Sequence, residues 1–211
     1  MSTVTTTARQ NWVSGETHEV LAHIHESEVN IAIFNRSIGT LTEELNRLVQ
    51  KDLEIKISGE LEVILDRVDK DEALADCSLI KQDIQEQLRY FREVSQAKSY
   101  RLLLATVNTN MCRKFHTDLN DLRLLCTYSG PGTLWLREDN VNREALHGSE
   151  EELVLDADSI QQAETGAVII LKGAIYPKEG TQAVLHRSPT IEESGERRLL
   201  LRIDTDEFLN F

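Results

Sequence analysis

The 211-residue sequence predicts an α+β protein in which a helical N-terminal half packs on a second half built from many short strands. Three observations lead to that expectation. Apolar residues recur at helical spacing among charges between residues 71 and 95. Beyond about residue 97 they come instead in short β-rich runs parted by Gly and Pro turns. A chain of this length buries an adequate core either as one large domain or as a helical unit fused to a β domain. The expected organisation is a flexible tail over 1–12, a mainly helical region over 13–97 and a barrel-like or sandwich-like β domain over 98–211.

Each element follows from local chemistry. The first dozen residues lack periodicity and apolar mass, so they read as a tail. A β-branched run at 29–34 (VNIAIF) predicts a strand. Thr40, Leu41, Thr42 and Glu43 form a capping-box pattern opening a helix with Leu41, Leu45, Leu48 and Val49 on one face. Over 71–95, Leu74, Cys77, Ile84, Leu88 and Phe91 mark the packed stripe of a long amphipathic helix. Strands are then expected at 100–107 (YRLLLATV), 122–128 (LRLLCTY), 167–171 (AVIIL), 183–185 and 198–204 (RLLLRID). Asp139 is placed to cap a short helix over 140–146 that stops at Gly148.

Composition excludes several classes of function. Lys and Arg total 23 against 36 Asp and Glu, and a formal charge of -13 repels phosphate backbones and anionic lipid surfaces. Nucleic acid and membranes are therefore not expected partners, which leaves a small-molecule or protein substrate. No apolar run reaches the roughly 20 residues of a spanning helix, and the Thr-rich start lacks a signal pattern, so a cytoplasmic location is expected. Cys77, Cys112 and Cys126 are odd in number and widely spaced, as reduced thiols are. Neither a Ser or Cys nucleophile motif nor a phosphate-cradling Gly loop is present.

The chemistry concentrates at Phe115-His116-Thr117-Asp118. On a strand, residues two apart share a face, so one imidazole and one carboxylate can meet one ion. His186, after the run at 183–185, is the candidate third ligand. Two His and one carboxylate leave three coordination positions open, the arrangement of non-haem Fe(II) oxygenases. A single His-x-Asp arises easily among six His and 36 acidic residues, so the order of features around it matters. After it come a strand, the turn Gly130-Pro131-Gly132-Thr133, Leu134-Trp135-Leu136, a Gly-led strand at 166–171, His186, and then Arg197 and Arg198.

In this order the sequence resembles the double-stranded β-helix (jelly-roll, cupin-like) of the Fe(II)/2-oxoglutarate dioxygenase superfamily over residues 112–204. Residues 112–136 (CRKFHTDLNDLRLLCTYSGPGTLWL) more closely resemble an uncharacterised bacterial domain-of-unknown-function family, number 1826, which includes the helical first half. The departures are Gly130-Pro131-Gly132 in place of a Gly-Gly pair, and two adjacent arginines where one basic residue is expected. The resemblance implies a metal held by His116, Asp118 and His186, with 2-oxoglutarate as co-substrate. The far carboxylate of that co-substrate needs a fixed cation, and Arg supplies one in bidentate form. Alternation puts Arg198 and Arg202 on one strand face and Arg197 on the other. Both are the expected cofactor-binding residues, against the alternative of solvated arginines on an edge strand.

Two functions follow from the same triad. The first is an Fe(II)/2-oxoglutarate-dependent dioxygenase on an unidentified substrate. The second is a non-catalytic or zinc-type metal-binding β-helix protein, for instance in metal homeostasis, with Cys112 as its distinguishing ligand. As a small thiol, Cys112 is more readily read as buried. His18, His23 and His25 lie among acidic residues on an expected solvated helix, His147 near a helix end, and Tyr128 and Trp135 in apolar packing.

Overall fold

Regular structure begins inside the expected tail, because Trp12 already opens a strand, β1 (Trp12–Gly15). The computed structural model describes residues 10–177 and 182–206, so residues 1–9 of that tail lie outside the described residues. Two further strands, β2 (Ile31–Phe34) and β3 (Glu54–Glu60), belong to the first half, which is therefore not the helical unit that was expected. In β3 the side chains of Ile55 and Ile57 are buried while Glu54, Lys56 and Ser58 are exposed, a period-two pattern too short to stand out beside the helical stretches.

Three helices complete this half. They are α1 (Thr42–Val49), α2 (Leu61–Lys70) and α3 (Ser78–Ser95), the last burying Ile80, Ile84, Leu88 and Phe91. The long helix starts later than its spacing suggests, since Asp71 accepts a hydrogen bond from Ala73 N and caps a 3-10 turn over Glu72–Leu74. No capping box forms at residues 40–43, where Thr42 instead donates to the Gly39 carbonyl at 2.8 Å. The stretch His18–His25 is a 3-10 helix that buries Val20, Leu21 and Ile24, and its His25 bonds Tyr176 and the Val94 carbonyl. One face is packed, while His23 and His25 remain exposed.

The second half supplies β4 (Ser99–Val107), β5 (Leu122–Ser129), β6 (Leu134–Trp135), a one-turn helix α4 (Glu150–Leu153), β7 (Gln161–Gln162), β8 (Val168–Lys172), β9 (His186–Arg187) and β10 (Arg198–Thr205). A capping box does occur here, where Ser149 and Glu152 bond reciprocally at the start of α4. The helix expected over 140–146 is replaced by two 3-10 turns, Glu138–Asn140 and Arg143–Ala145, with Asp139 paired to Arg137. Asn140 bonds the Asp156 backbone on both its N–H and its C=O, and this local network outcompetes a helix. The strand expected at 183–185 falls instead on His186 itself.

A seven-stranded sheet runs in the order β1-β2-β8-β5-β10-β4-β3 and a smaller sheet in the order β7-β6-β9. Strands from both sides of residue 97 thus share the large sheet. Its two faces are sorted by alternation. Leu199, Leu201 and Ile203 of β10 join Leu124, Cys126 and Tyr128 of β5 in the cluster that the three helices cover. Leu200 and Leu125 point the other way and pack with Trp135, Ala163, Val184 and Ile191 beneath the small sheet. Because β10 lies between β5 and β4, its arginines are not on an edge strand.

The turn leaving β5 needs glycine. Gly130 has φ of 80° and a Cβ there would sit 2.6 Å from the Arg197 carbonyl oxygen and 2.9 Å from Arg198 Cγ. Gly130→Ala is expected to lose about 1 to 3 kcal/mol, the usual magnitude for such strain. Chemical denaturation checks this, and an unchanged midpoint would refute the constraint.

Candidate metal centre

His116 and His186 are brought together by backbone rather than by a long strand. They form an isolated antiparallel bridge in which each N–H donates to the other's carbonyl oxygen at 3.1 Å. Within β9, His186 also pairs with Trp135 of β6. The two rings lie 4.6 Å apart between centroids. Asp118, two residues beyond the bridge, sits in irregular chain whose carbonyl accepts from Ala174 N. The sequence expectation of a strand over 115–118 is thus replaced by a single bridge, yet the three side chains converge. One ligand atom from each of His116, Asp118 and His186 lies within 4.8 Å of the others. This group could hold a metal ion.

Hydrogen bonding sets the rings for that task. His116 Nδ1 faces the Lys114 carbonyl at 3.1 Å and His186 Nδ1 faces the Val184 carbonyl at 3.4 Å. A backbone acceptor at Nδ1 favours the proton there and leaves the Nε2 lone pair for an ion. Both Nε2 atoms face Asp118, at 3.6 Å from Oδ1 for His116 and 3.3 Å from Oδ2 for His186. Oδ2 is nonetheless a buried oxygen without a hydrogen-bond partner among the described residues, which suits it to ligate a cation. Burial would raise the Asp118 pKa, but the two His rings and the Arg123 guanidinium hold it well below the carboxylate range. The Asp118 carboxylate facing its Nε2 raises the His116 pKa, against the effect of burial.

The group opens on a small cavity lined by Cys112, His116, Arg123, His186, Arg198 and Arg202 among others. Cys112 is exposed rather than buried, and its thiol is not part of the ligand group. Arg198 is fully buried and bonds Thr127 Oγ1 at 3.0 Å, with no acid paired to it among the described residues and with Nε unsatisfied. Burial pushes its pKa down to about 10. Arg202 lies within 3.1 Å of Asp204, and Arg197 points away to Asp52, as alternation requires. Sequence reasoning missed Arg123 and Asp204. Each interrupts an apolar strand run, LRLLCTY and RLLLRID, on the face that also carries Arg198 and Arg202.

The family described as "Protein of unknown function (DUF1826)" matches residues 15–204. The chain belongs to that family. No curated protein matches the chain. Among solved structures, dioxygenase for auxin oxidation 1 from Arabidopsis thaliana, in its 2-oxoglutarate binary complex, is similar over 93% of this chain and 92% of that chain, with 9% identity and a TM-score of 0.55. Full-length T7H from Neurospora crassa, in complex with α-ketoglutarate and 5-formyluracil, is similar over 92% of this chain and 83% of that chain, with 10% identity and a TM-score of 0.52. At such identities the likeness shows a shared fold, dominated by the large sheet. Among the described residues no helix is long and apolar enough to cross a membrane.

Proposed function

We propose that the chain is an Fe(II)/2-oxoglutarate-dependent dioxygenase acting on an unidentified substrate. The observation that carries this reading is Arg198, a fully buried cation with no acid paired to it among the described residues, on the wall of the cavity that His116 and His186 also line beside Asp118. A buried charge that no protein group neutralises is costly, and an anionic ligand offsets that cost. When bound, Fe(II) would supply the site at which dioxygen is activated as the oxidant, and 2-oxoglutarate, through its oxidative decarboxylation, two of the electrons that dioxygen takes up.

The chain's own residues would bind and orient. His116, Asp118 and His186 hold one side of the ion and leave the other side open. Arg198 takes the far carboxylate of the co-substrate, with Thr127 Oγ1 fixing the direction of its guanidinium. Apolar Leu125 and Leu200, which line the same cavity, keep water from competing for that charge. In the zinc alternative the same triad holds the ion with Cys112 as its distinguishing ligand, and Cys112 stands outside the ligand group.

Titrating 2-oxoglutarate into anaerobic Fe(II)-loaded protein, read by metal-chelate absorption, tests the proposal. Arg198→Ala is expected to weaken binding roughly ten- to hundredfold, the loss of about 1.5 to 3 kcal/mol of a charge-assisted contact, with metal content unchanged. Arg202→Ala should cost less, because Arg202 is already close to Asp204. No binding by the wild type would end the dioxygenase reading.

A further inference from the structure

Arg123 takes up one of the two oxygens of the candidate metal carboxylate, Oδ1 of Asp118. It sits near the start of β5 with only 17% of its side chain exposed. Its Nη1 meets Asp118 Oδ1 at 2.5 Å, and its Nε donates to Asp204 Oδ1 at 2.5 Å. Asp204 lies directly opposite Arg123 in the β5–β10 register, is 1% exposed, and accepts a further hydrogen bond from Asn120 Nδ2 at 3.1 Å. A guanidinium anchored this way on a central strand has little freedom to move. Asp118 has no such strand of its own, whereas His116 and His186 are pinned by their backbone bridge.

We infer that Arg123 is a positioning residue: it occupies Oδ1 of Asp118 and so presents the orphaned Oδ2 alone to the ion. The inference rests on the metal reading of the triad. A carboxylate with both oxygens free can close on an ion from two sides and fill a position that the chemistry needs open. Holding one oxygen prevents that, and it also fixes where the other one points. Asp204 acts one step further out, by orienting Arg123.

Charge and position predict opposite outcomes when Arg123 is removed, which makes the test sharp. On charge alone, deleting a cation beside a cation site tightens binding. Loss of a positioning partner weakens it, commonly ten- to hundredfold for residues that orient metal ligands. Purified full-length protein is titrated with Co(II), whose visible bands report the ligands around it. Arg123→Met is expected to bind Co(II) at least about tenfold more weakly and with altered bands, and Arg123→Lys to restore the bands in part. Binding that is equal or tighter in Arg123→Met, with wild-type bands, overturns the inference. Should Arg123→Met fail to fold, Asp204→Asn takes its place, where weaker Co(II) binding supports the role and wild-type binding overturns it. A wild type that binds no Co(II) sinks the metal reading itself, an outcome distinct from an Arg123 variant that binds normally.

Discussion

Asp118→Ala is expected to abolish tight metal binding, so that protein reconstituted with Fe(II) without oxygen and then desalted carries no stoichiometric metal. His116 and His186 would remain together through their backbone bridge, but two imidazoles cannot hold an open coordination sphere against water. The fold should survive the change. Arg123 keeps Asp204 as its partner, so no buried cation is stranded. His116→Ala should give the same loss. One equivalent of metal retained in both variants would remove the assignment, and iron rather than zinc in the wild type is the expected content.

A second large effect lies on the opposite face of the sheet. Asp83 of α3 is paired with both terminal nitrogens of Arg36, at 2.9 Å for Nη2, and accepts from Tyr128 Oη at 2.5 Å. Arg36 Nε also donates to the Gly166 carbonyl at 2.9 Å, so the cluster ties the exit of β2, α3, β5 and the turn before β8. Asp83→Ala leaves a guanidinium and a phenol buried without their acceptor. Removing one partner of such a pair costs about 3 to 5 kcal/mol. For a chain of this size that lowers the melting temperature by roughly 6 to 20 °C. Replacing the pair together, as Arg36→Met with Asp83→Leu, should recover much of the loss, since no uncompensated charge remains. Thermal melts of the single and double variants check both statements, and a shift under about 2 °C for Asp83→Ala would show that the cluster is solvated.

Much of the architecture was legible because it depends on near neighbours in sequence. The stripe of Ile84, Leu88 and Phe91 needs only helical spacing, and the runs that became β4, β5, β8 and β10 need only β-branched or leucine-rich composition between turn residues. The weaker expectations failed where a competing local bond existed. Asn140 turned its side chain onto the Asp156 backbone instead of entering a helix, and Thr42 capped Gly39 instead of forming a box. Strands β1 and β3 are edge elements, and what makes them strands is the neighbour they pair with.

The candidate site divides in the same way. Residue type and order along the chain pointed to His116, Asp118 and His186, and alternation along one strand put Arg198 and Arg202 on one face with Arg197 on the other. These are local properties that the sequence alone determined. Only the tertiary structure decided that His116 pairs with His186 residue to residue, that β10 is central, and that Arg198 has no acid beside it among the described residues while Arg202 has Asp204 nearby. Arg123 became visible only then as well, since its role depends on Asp204 lying opposite in the register and on Asp118 arriving from a separate loop. Spacing along a chain fixes which side chains share a face, but the charge balance of a buried cavity depends on every strand that lines it, and those meet only when the sheet has closed.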